Sequence, residues 1–322
     1  MKQGETIAVI GAGLAGALVA QGLKRRGARV TLFDKSRGTG GRLAAARLGE
    51  LSVDLGAPGL NNLQFRALQD LLQGSEQPEL ACWQPQAADF DLQPTTGPEL
   101  WLATPRSSGL TRSLLTGIEL ATQVRIARVE YGAGSGVWLE DDTGQLQGEY
   151  DRVVIATPAP QAVSLLQAEP ELQHAVREMD MAPAWILLLA LEQRPGRLAR
   201  IDWLEGEHPL FRRIWRDGSK PGREGETWAI EARPDWSRTH VGEPPEQVQS
   251  MLLQAFSELC RQELQPLRQR IHRWLYAHAD ESELQTFCSR DARLLLCGDW
   301  VCGGGIDAVI RSAQQLLQRL DA

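Results

Sequence analysis

The sequence predicts an α/β protein in two parts. One is a Rossmann-like dinucleotide-binding domain on a parallel sheet; the other is an α+β substrate domain on a mixed or antiparallel sheet. Three observations carry this reading. The chain opens with an apolar run, a glycine-rich turn, a helical segment and a second apolar run. It closes with another short apolar run and an amphipathic stretch. The intervening sequence alternates strand-like runs with one long helical pattern, and 322 residues suit two domains or one domain with an insertion.

The elements follow in order. "ETIAVI" (5–10) ends in Gly and reads as a buried parallel strand. Leu14 to Arg26 reads as a helix with Leu14, Leu18 and Leu23 on its apolar side. Arg25 and Arg26 sit at its negative end, and Gly27 is its cap. "RVTLFD" (29–34) completes a βαβ opening. Residues 73–99, rich in Gln, Pro and Asp, read as loop and edge structure. "TQVRIARVEYG" and "GVWLEDD" read as antiparallel strands around "GAGSG". "DRVVIATP" (151–158) is a buried strand stopped by Pro158; "WILLLALE" (185–192) and "TWAIEAR" (227–233) are strands of a second sheet. Residues 246–263 form an amphipathic helix with Val248, Met251, Leu252, Ala255 and Leu259 on one face. "RLLLCGD" (293–299) is a further buried strand, and Val309, Ala313, Leu316, Leu317 and Leu320 stripe a final helix. The nucleotide domain is therefore discontinuous, at 1–60, 100–165 and 286–322, with the substrate domain at 61–99 and 166–285.

Bulk composition narrows the function classes. A net charge of −7 argues against a uniformly basic nucleic-acid surface. The five cysteines show no CxxC pair or zinc spacing, so they read as reduced thiols of a cytoplasmic chain, with no metal site expected. No charged and apolar leader precedes the first strand, and no apolar run approaches the roughly 18 residues of a membrane span.

Gly11, Gly13 and Gly16 in "GAGLAG" match G-x-G-x-x-G between strand and helix. The first glycine permits the tight turn, the second lets backbone approach a pyrophosphate, and the third lets helix and strand pack closely. Asp34 stands 18 residues past Gly16, where a carboxylate accepts hydrogen bonds from ribose hydroxyls and repels a 2′-phosphate. A second glycine turn, "DKSRGTGGR", adds Arg37, Gly40, Gly41 and Arg42, which suits a cofactor longer than NAD. At the far end, Gly298 and Asp299 of "CGDW" lie at a strand tip, where open α/β sheets bind ligands; Asp299 suits a ribitol hydroxyl. Gly303, Gly304 and Gly305 open the last helix. Their N–H groups and the helix dipole would stabilise a reduced flavin by about 1 kcal/mol.

"FDKSRGTGGR", "DLGA" (54–57), "IATPAPQA" (155–162), "SKPGR" (219–223), "PDWSR" (234–238), "HRWLYA" (272–277) and "CGDW" (297–300) occur in this order. Together they resemble the bacterial renalase-like proteins, flavin-containing relatives of the amine oxidases. The resemblance covers nearly the whole chain. Its outer motifs are shared by many FAD oxidoreductases, whereas "SKPGR", "PDWSR" and "HRWLYA" mark the renalase group. It implies an FAD-binding Rossmann-like (GR2-type) domain and non-covalent FAD. It also implies oxidation of 1,2- and 1,6-dihydro isomers of NAD(P)H, with O2 as electron acceptor and hydrogen peroxide as product. Candidate cofactor contacts are Gly11, Ala12, Gly13, Leu14, Ala15, Gly16, Asp34, Lys35, Arg37, Gly41, Arg42, Gly56, Ala57, Val129, Thr157, Gly298, Asp299, Gly305 and Ile306.

The implied chemistry suits what the chain lacks. A dihydropyridine gives up hydride with help from its own ring nitrogen, so it needs a flat slot rather than a general base. None of the five histidines forms a recognisable triad with Ser or Cys. Pocket candidates are His272, Trp274 and Tyr276, which share one face of "IHRWLY", and Trp215. The sequence departs from the renalase pattern at the ring-facing positions. Pro58, Gly59 and Leu60, followed by Asn61 and Asn62, stand where Gln and two aromatics are expected. Arg106 and Ser107 replace Gly and Met, and Ala308 replaces the glycine after Asp307. An altered substrate pocket is the first expectation. An amine or desaturating oxidase, a flavin-binding protein with little turnover, and a protein that has lost flavin are the alternatives. The basic run "RRIWRDGSKPGR" reads as a solvated loop, with contact to a phosphate-bearing substrate as its other reading.

Overall fold

The computed structural model describes residues 3–73, 79–132, 134 and 136–321. In chain order the strands and helices are β1 (Thr6–Ile10), α1 (Leu14–Arg25), β2 (Arg29–Asp34), β3 (Ala45–Leu48), β4 (Leu51–Asp54), α2 (Asn62–Leu71), β5 (Leu80–Trp83), β6 (Ala87–Ala88), β7 (Pro94–Thr95), β8 (Leu100–Ala103), α3 (Gly109–Leu114), β9 (Glu119–Thr122), β10 (Ile126–Tyr131), β11 (Val137–Asp141), β12 (Leu146–Tyr150) and β13 (Arg152–Ile155). There follow α4 (Ala159–Ala162), α5 (Pro170–Arg177), β14 (Met181–Leu191), β15 (Trp203–Glu205), β16 (Phe211–Arg216), β17 (Glu226–Ala232), α6 (Pro234–Thr239), α7 (Pro245–Cys260), β18 (Arg268–Ala279), β19 (Leu294–Leu296) and α8 (Gly305–Asp321).

Five parallel strands form the Rossmann-like sheet in the order β19-β13-β1-β2-β9. Alternation of side chains along β1 explains its two covered faces. Ile7 and Val9 pack with α1 and α8, while Ala8 and Ile10 pack with the β10–β12 meander and α5. All five stripe residues expected of the final helix are buried in that first core. Strand β12 lies outside the expected elements; none of its residues is buried and their cover does not alternate, so its apolar signal is weak.

The second sheet has seven strands, β18-β14-β17-β16-β15-β6-β7, antiparallel except where β15 meets β6. β14 is buried at every residue because both of its faces are covered. Its outer face packs on α7, where the deepest line is Val248, Leu252, Phe256 and Cys260. That line corrects the expected one: Met251, Ala255 and Leu259 are half-buried at its edge. Its inner face meets the β3–β4 hairpin, Trp83 and β8.

The basic run at 212–223 is no solvated loop. Strand β16 and the short turn after it bury or half-bury all of it but Gly222, and Asp217 and Lys220 are 0% and 2% exposed. The cations of the run are paired with acids. Arg212 and Arg213 sit on Glu231, Arg216 on Glu226 and Asp202, and Lys220 and Arg223 on Asp54 and Asp217.

Candidate active site

The two glycine turns meet. Gly40 N donates to Ala12 O at 2.9 Å, and a Cβ on Gly41 would stand 3.1 Å from Gly13 Cα. Gly11 has φ +113°, and a side chain there would strike Ala156 O. A Cβ on Gly16 would lie 1.9 Å from Gly11 O, so helix and turn touch only because it is absent. Ala12, Leu14 and Ala15 are buried beneath this floor. Gly13 caps α1 without any side-chain hydrogen bond, and the first turn carries no acid. The helix therefore presents bare N–H groups to an anion.

Around this floor stand the other candidates. Asp34 accepts from Ala12 N and, on its other oxygen, from Ser36 N, both at 2.7 Å; each oxygen keeps a lone pair for a ribose hydroxyl. Thr157 lies against Gly11, and its buried Oγ1 has no hydrogen-bond partner among the described residues. Lys35 and Arg37 are exposed at the rim; Lys35 Nζ donates to Gln161 Oε1 at 3.3 Å, and partial burial lowers its pKa. Val129 is buried in the meander beside a small cavity of ≈ 200 Å³, lined also by Arg128, Glu130, Ser164, Gln167 and Ala168.

Arg42 and Asp299, expected at separate points on the cofactor, pair with each other. The guanidinium spans both carboxylate oxygens at 2.6 Å and also donates to Ala277 O at 2.9 Å. Asp299 is 2% exposed, so this pair is the bidentate, charge-assisted kind. Gly298 precedes it in extended backbone, and Gly303, Gly304 and Gly305 all have positive φ. The end of β18 packs on that turn: a Cβ on Gly304 would lie 2.8 Å from Ala279 O, whereas Gly305 opens to free space and Ile306 is half-buried beside it.

The pocket candidates divide. His272 and Trp274 meet edge to face with ring centroids 4.4 Å apart, and Trp274 Nε1 donates to Leu55 O at 2.9 Å. Tyr276 leaves them. β18 is irregular between the partners of Ala182 and Ala184, and Tyr276 packs instead with the core beneath the Rossmann-like sheet. Trp215 is fully buried, its Nε1 donating to Asp217 Oδ1, so it is a wall of the core rather than a pocket surface. His272 Nε2 is buried without a partner among the described residues; burial, helped by Arg270, lowers its pKa to about 4. It is a neutral ring at neutral pH and a poor proton donor. Burial raises the Glu231 carboxyl, but Arg213, His278 and Arg212 outweigh that, and it stays well below the usual range.

In the altered segment 58–62, Pro58 and Leu60 are buried, whereas Asn61 and Asn62 stay exposed. Leu60 exchanges backbone hydrogen bonds with Trp101, and Asn61 caps α2 through a reciprocal pair with Gln64. Gln64 Nε2 then donates to Asp307 at 2.8 Å, and Trp101 stacks on Phe65. The sequence reading missed this cap, although Asn followed three residues later by Gln is its signature. It also gave no role to Asp54 of "DLGA" and no acid partners to Lys220 and Arg223 of "SKPGR". In the structure Asp54, Ser107, Asp217, Lys220 and Arg223 form one buried cluster. Burial pushes the Asp54 carboxyl up, but Lys220 and Arg223 prevail and lower it to about 2; burial raises Asp217 against the pull of Lys220.

The family model for flavin containing amine oxidoreductases matches residues 93–316, more than half of the chain. The chain belongs to that family. A model for NAD(P)-binding Rossmann-like domains matches residues 9–74. Among solved structures it is similar to a CLA-producing fatty acid isomerase from P. acnes (11% identity, 100% of both chains, TM-score 0.75). It is also similar to an oxidoreductase from Methanosarcina mazei (12% identity, 97% of this chain and 100% of that one, TM-score 0.71). A putrescine oxidase bound to putrescine matches at 10% identity over 98% of this chain and 99% of that one, TM-score 0.70. At these identities the similarity shows the fold. This member of the flavin-containing family is a flavin-dependent oxidoreductase with FAD as cofactor. The residues present fit it: a side-chain-free floor at a helix N-terminus, Asp34 at the second strand's end, and the unpartnered Thr157 hydroxyl. Among the described residues no helix is long and apolar enough to cross a membrane, and no cluster of three or more His, Cys, Asp or Glu stands ready for a metal.

Proposed function

We propose that the protein oxidises a dihydronicotinamide-type substrate of the renalase class, a 1,2- or 1,6-dihydro isomer of NAD(P), with O2 as final acceptor and hydrogen peroxide as product. The observation that carries this reading is the convergence of two stretches that mark the renalase group, "SKPGR" and "HRWLYA", on "DLGA". Lys220 and Arg223 of "SKPGR" bind Asp54 of "DLGA", and Trp274 of "HRWLYA" binds the next residue, Leu55. Three motifs distant in sequence thus build one place.

FAD, when bound, supplies the hydride acceptor. The FAD is held non-covalently by a discontinuous nucleotide domain at 1–60, 100–165 and 286–322, with the substrate domain at 61–99 and 166–285. Gly11, Gly13, Gly16, Asp34 and Thr157 hold the adenosine and diphosphate. Gly41, Arg42, Gly56, Ala57, Asp299 and the 303–305 turn hold the ribitol and ring. His272 and Trp274 form one wall of a flat slot. The neutral His272 orients the nicotinamide carboxamide or ring without moving a proton, which matches a substrate whose ring nitrogen drives hydride release.

Membership in an amine oxidoreductase family keeps amine oxidation as the second reading. Anaerobic mixing of the yellow holoprotein with 1,6-dihydro-NAD, and separately with a panel of primary and secondary amines, distinguishes them. Rapid bleaching of flavin absorbance by the dihydronicotinamide alone supports the proposal. Bleaching by an amine and not by the dihydronicotinamide overturns it.

A further inference from the structure

The cluster around Lys220 is closed to ligands. The side chains of Lys220, Asp217, Asp54 and Arg223 are 0%, 0%, 1% and 2% exposed. Lys220 Nζ lies 2.8 Å from both Asp54 Oδ2 and Asp217 Oδ1, and 5.5 Å from the ring centres of Trp83 and Trp215. Arg223 Nη2 donates to Asp54 Oδ2 at 2.8 Å. Ser107 donates through its hydroxyl (2.7 Å) and its N–H (3.2 Å) to the same carboxylate, and Asp54 N donates to Asp217 Oδ2 at 3.2 Å. Two acids and two bases are thus sealed in an apolar wall.

Burying four charges is expensive, and apolar residues of equal volume would stabilise the core at least as well. What the cluster adds is directional: four contacts fix one orientation of the Asp54 carboxylate, and Asp217 ties down both Asp54 N and Lys220. That carboxylate begins the segment 54–57. Leu55 N donates to Ala44 O, Ala57 N donates to Arg42 O, and Leu55 O receives Trp274 Nε1. Gly56 lies so close to Arg42 O that a Cβ would stand 1.9 Å from it. Arg42 in turn holds Asp299. The connected line runs from the turn after β16, through Asp54, to the tip of β19.

We infer that Lys220, Arg223 and Ser107 are positioning residues which, through Asp54, set where Gly56, Ala57 and Arg42 meet the flavin. The inference rests on the placement of the flavin proposed above.

The test uses the FAD-loaded protein and three variants: Lys220→Met, the charge-balanced Lys220→Met/Asp217→Asn, and Ser107→Ala. Three quantities are read: the dissociation constant for FAD by flavin fluorescence quenching, the visible spectrum and midpoint potential of the bound flavin, and the thermal midpoint. Lys220→Met weakens FAD binding about tenfold, the scale on which loss of a supporting partner acts, and shifts the flavin spectrum. The charge-balanced pair regains most of the thermal midpoint while FAD affinity and spectrum stay displaced, which a purely structural role would not produce. Ser107→Ala keeps every charge and gives a smaller shift in the same direction, so it reads the device even if the lysine variants do not fold. Wild-type affinity, spectrum and potential in Ser107→Ala, or in a folded charge-balanced variant, overturn the inference and leave the flavin placement intact. A wild-type protein that takes up no FAD overturns both.

Discussion

Replacing His272 by Phe, a ring of similar size without titratable nitrogens, should flatten the acid side of the stability profile. His272 Nε2 is buried and unpartnered among the described residues, and burial, with repulsion from Arg270, lowers its pKa to about 4 from 6.5. The unfolded chain takes up this proton below about pH 6.5, whereas the folded state resists until about pH 4. Between those values the unfolded state binds more protons, so the native state loses stability as pH falls through the window and the loss levels off beneath it. At about 1.4 kcal/mol per pH unit the window spans about 3 kcal/mol. The ring is only partly buried, so solvent screening reduces this to roughly 1–2 kcal/mol. Urea unfolding followed by tryptophan fluorescence in buffers from about pH 7.5 to pH 4 gives the two profiles. His208 and His278 also have lowered pKa values, but they are common to both proteins and cancel in the difference. At neutral pH the variant should equal or exceed the wild type by up to about 1 kcal/mol, because a buried unsatisfied nitrogen is gone. Parallel profiles across the window would refute the reasoning that burial holds this ring neutral.

Three other outcomes follow from the packing of the chain. Gly16→Ala places a methyl 1.9 Å from Gly11 O, a backbone atom that cannot yield, and should cost about 3 kcal/mol or more with loss of bound flavin. Gly38→Ala, which meets nothing within 4 Å, should leave thermal midpoint and flavin content unchanged. Among the thiols, Cys82 is exposed, whereas burial pushes Cys260 and Cys297 up to about 12. A maleimide under native conditions should therefore label Cys82 well before either of them, as peptide mass mapping will show; equal labelling would mean that those cores open readily.

Sequence alone determined the βαβ opening, the glycine turns, Asp34, and the strand and helix that close the Rossmann-like sheet. Each is written in consecutive residues: alternation along β1, a positive φ that only glycine takes freely, a stripe along α8. Tertiary structure decided the rest. It set "RRIWRDGSKPGR" among acids of which Asp217 alone lies in the run; Asp54, Asp202, Glu226 and Glu231 come from elsewhere, and nothing local to the run announces them. It sent Tyr276 to another core through an irregularity in strand pairing, and it joined Arg42 to Asp299 across 257 residues. A charge is tolerable in a core only when its counter-charge arrives with it, and that meeting is a property of the folded chain rather than of any segment.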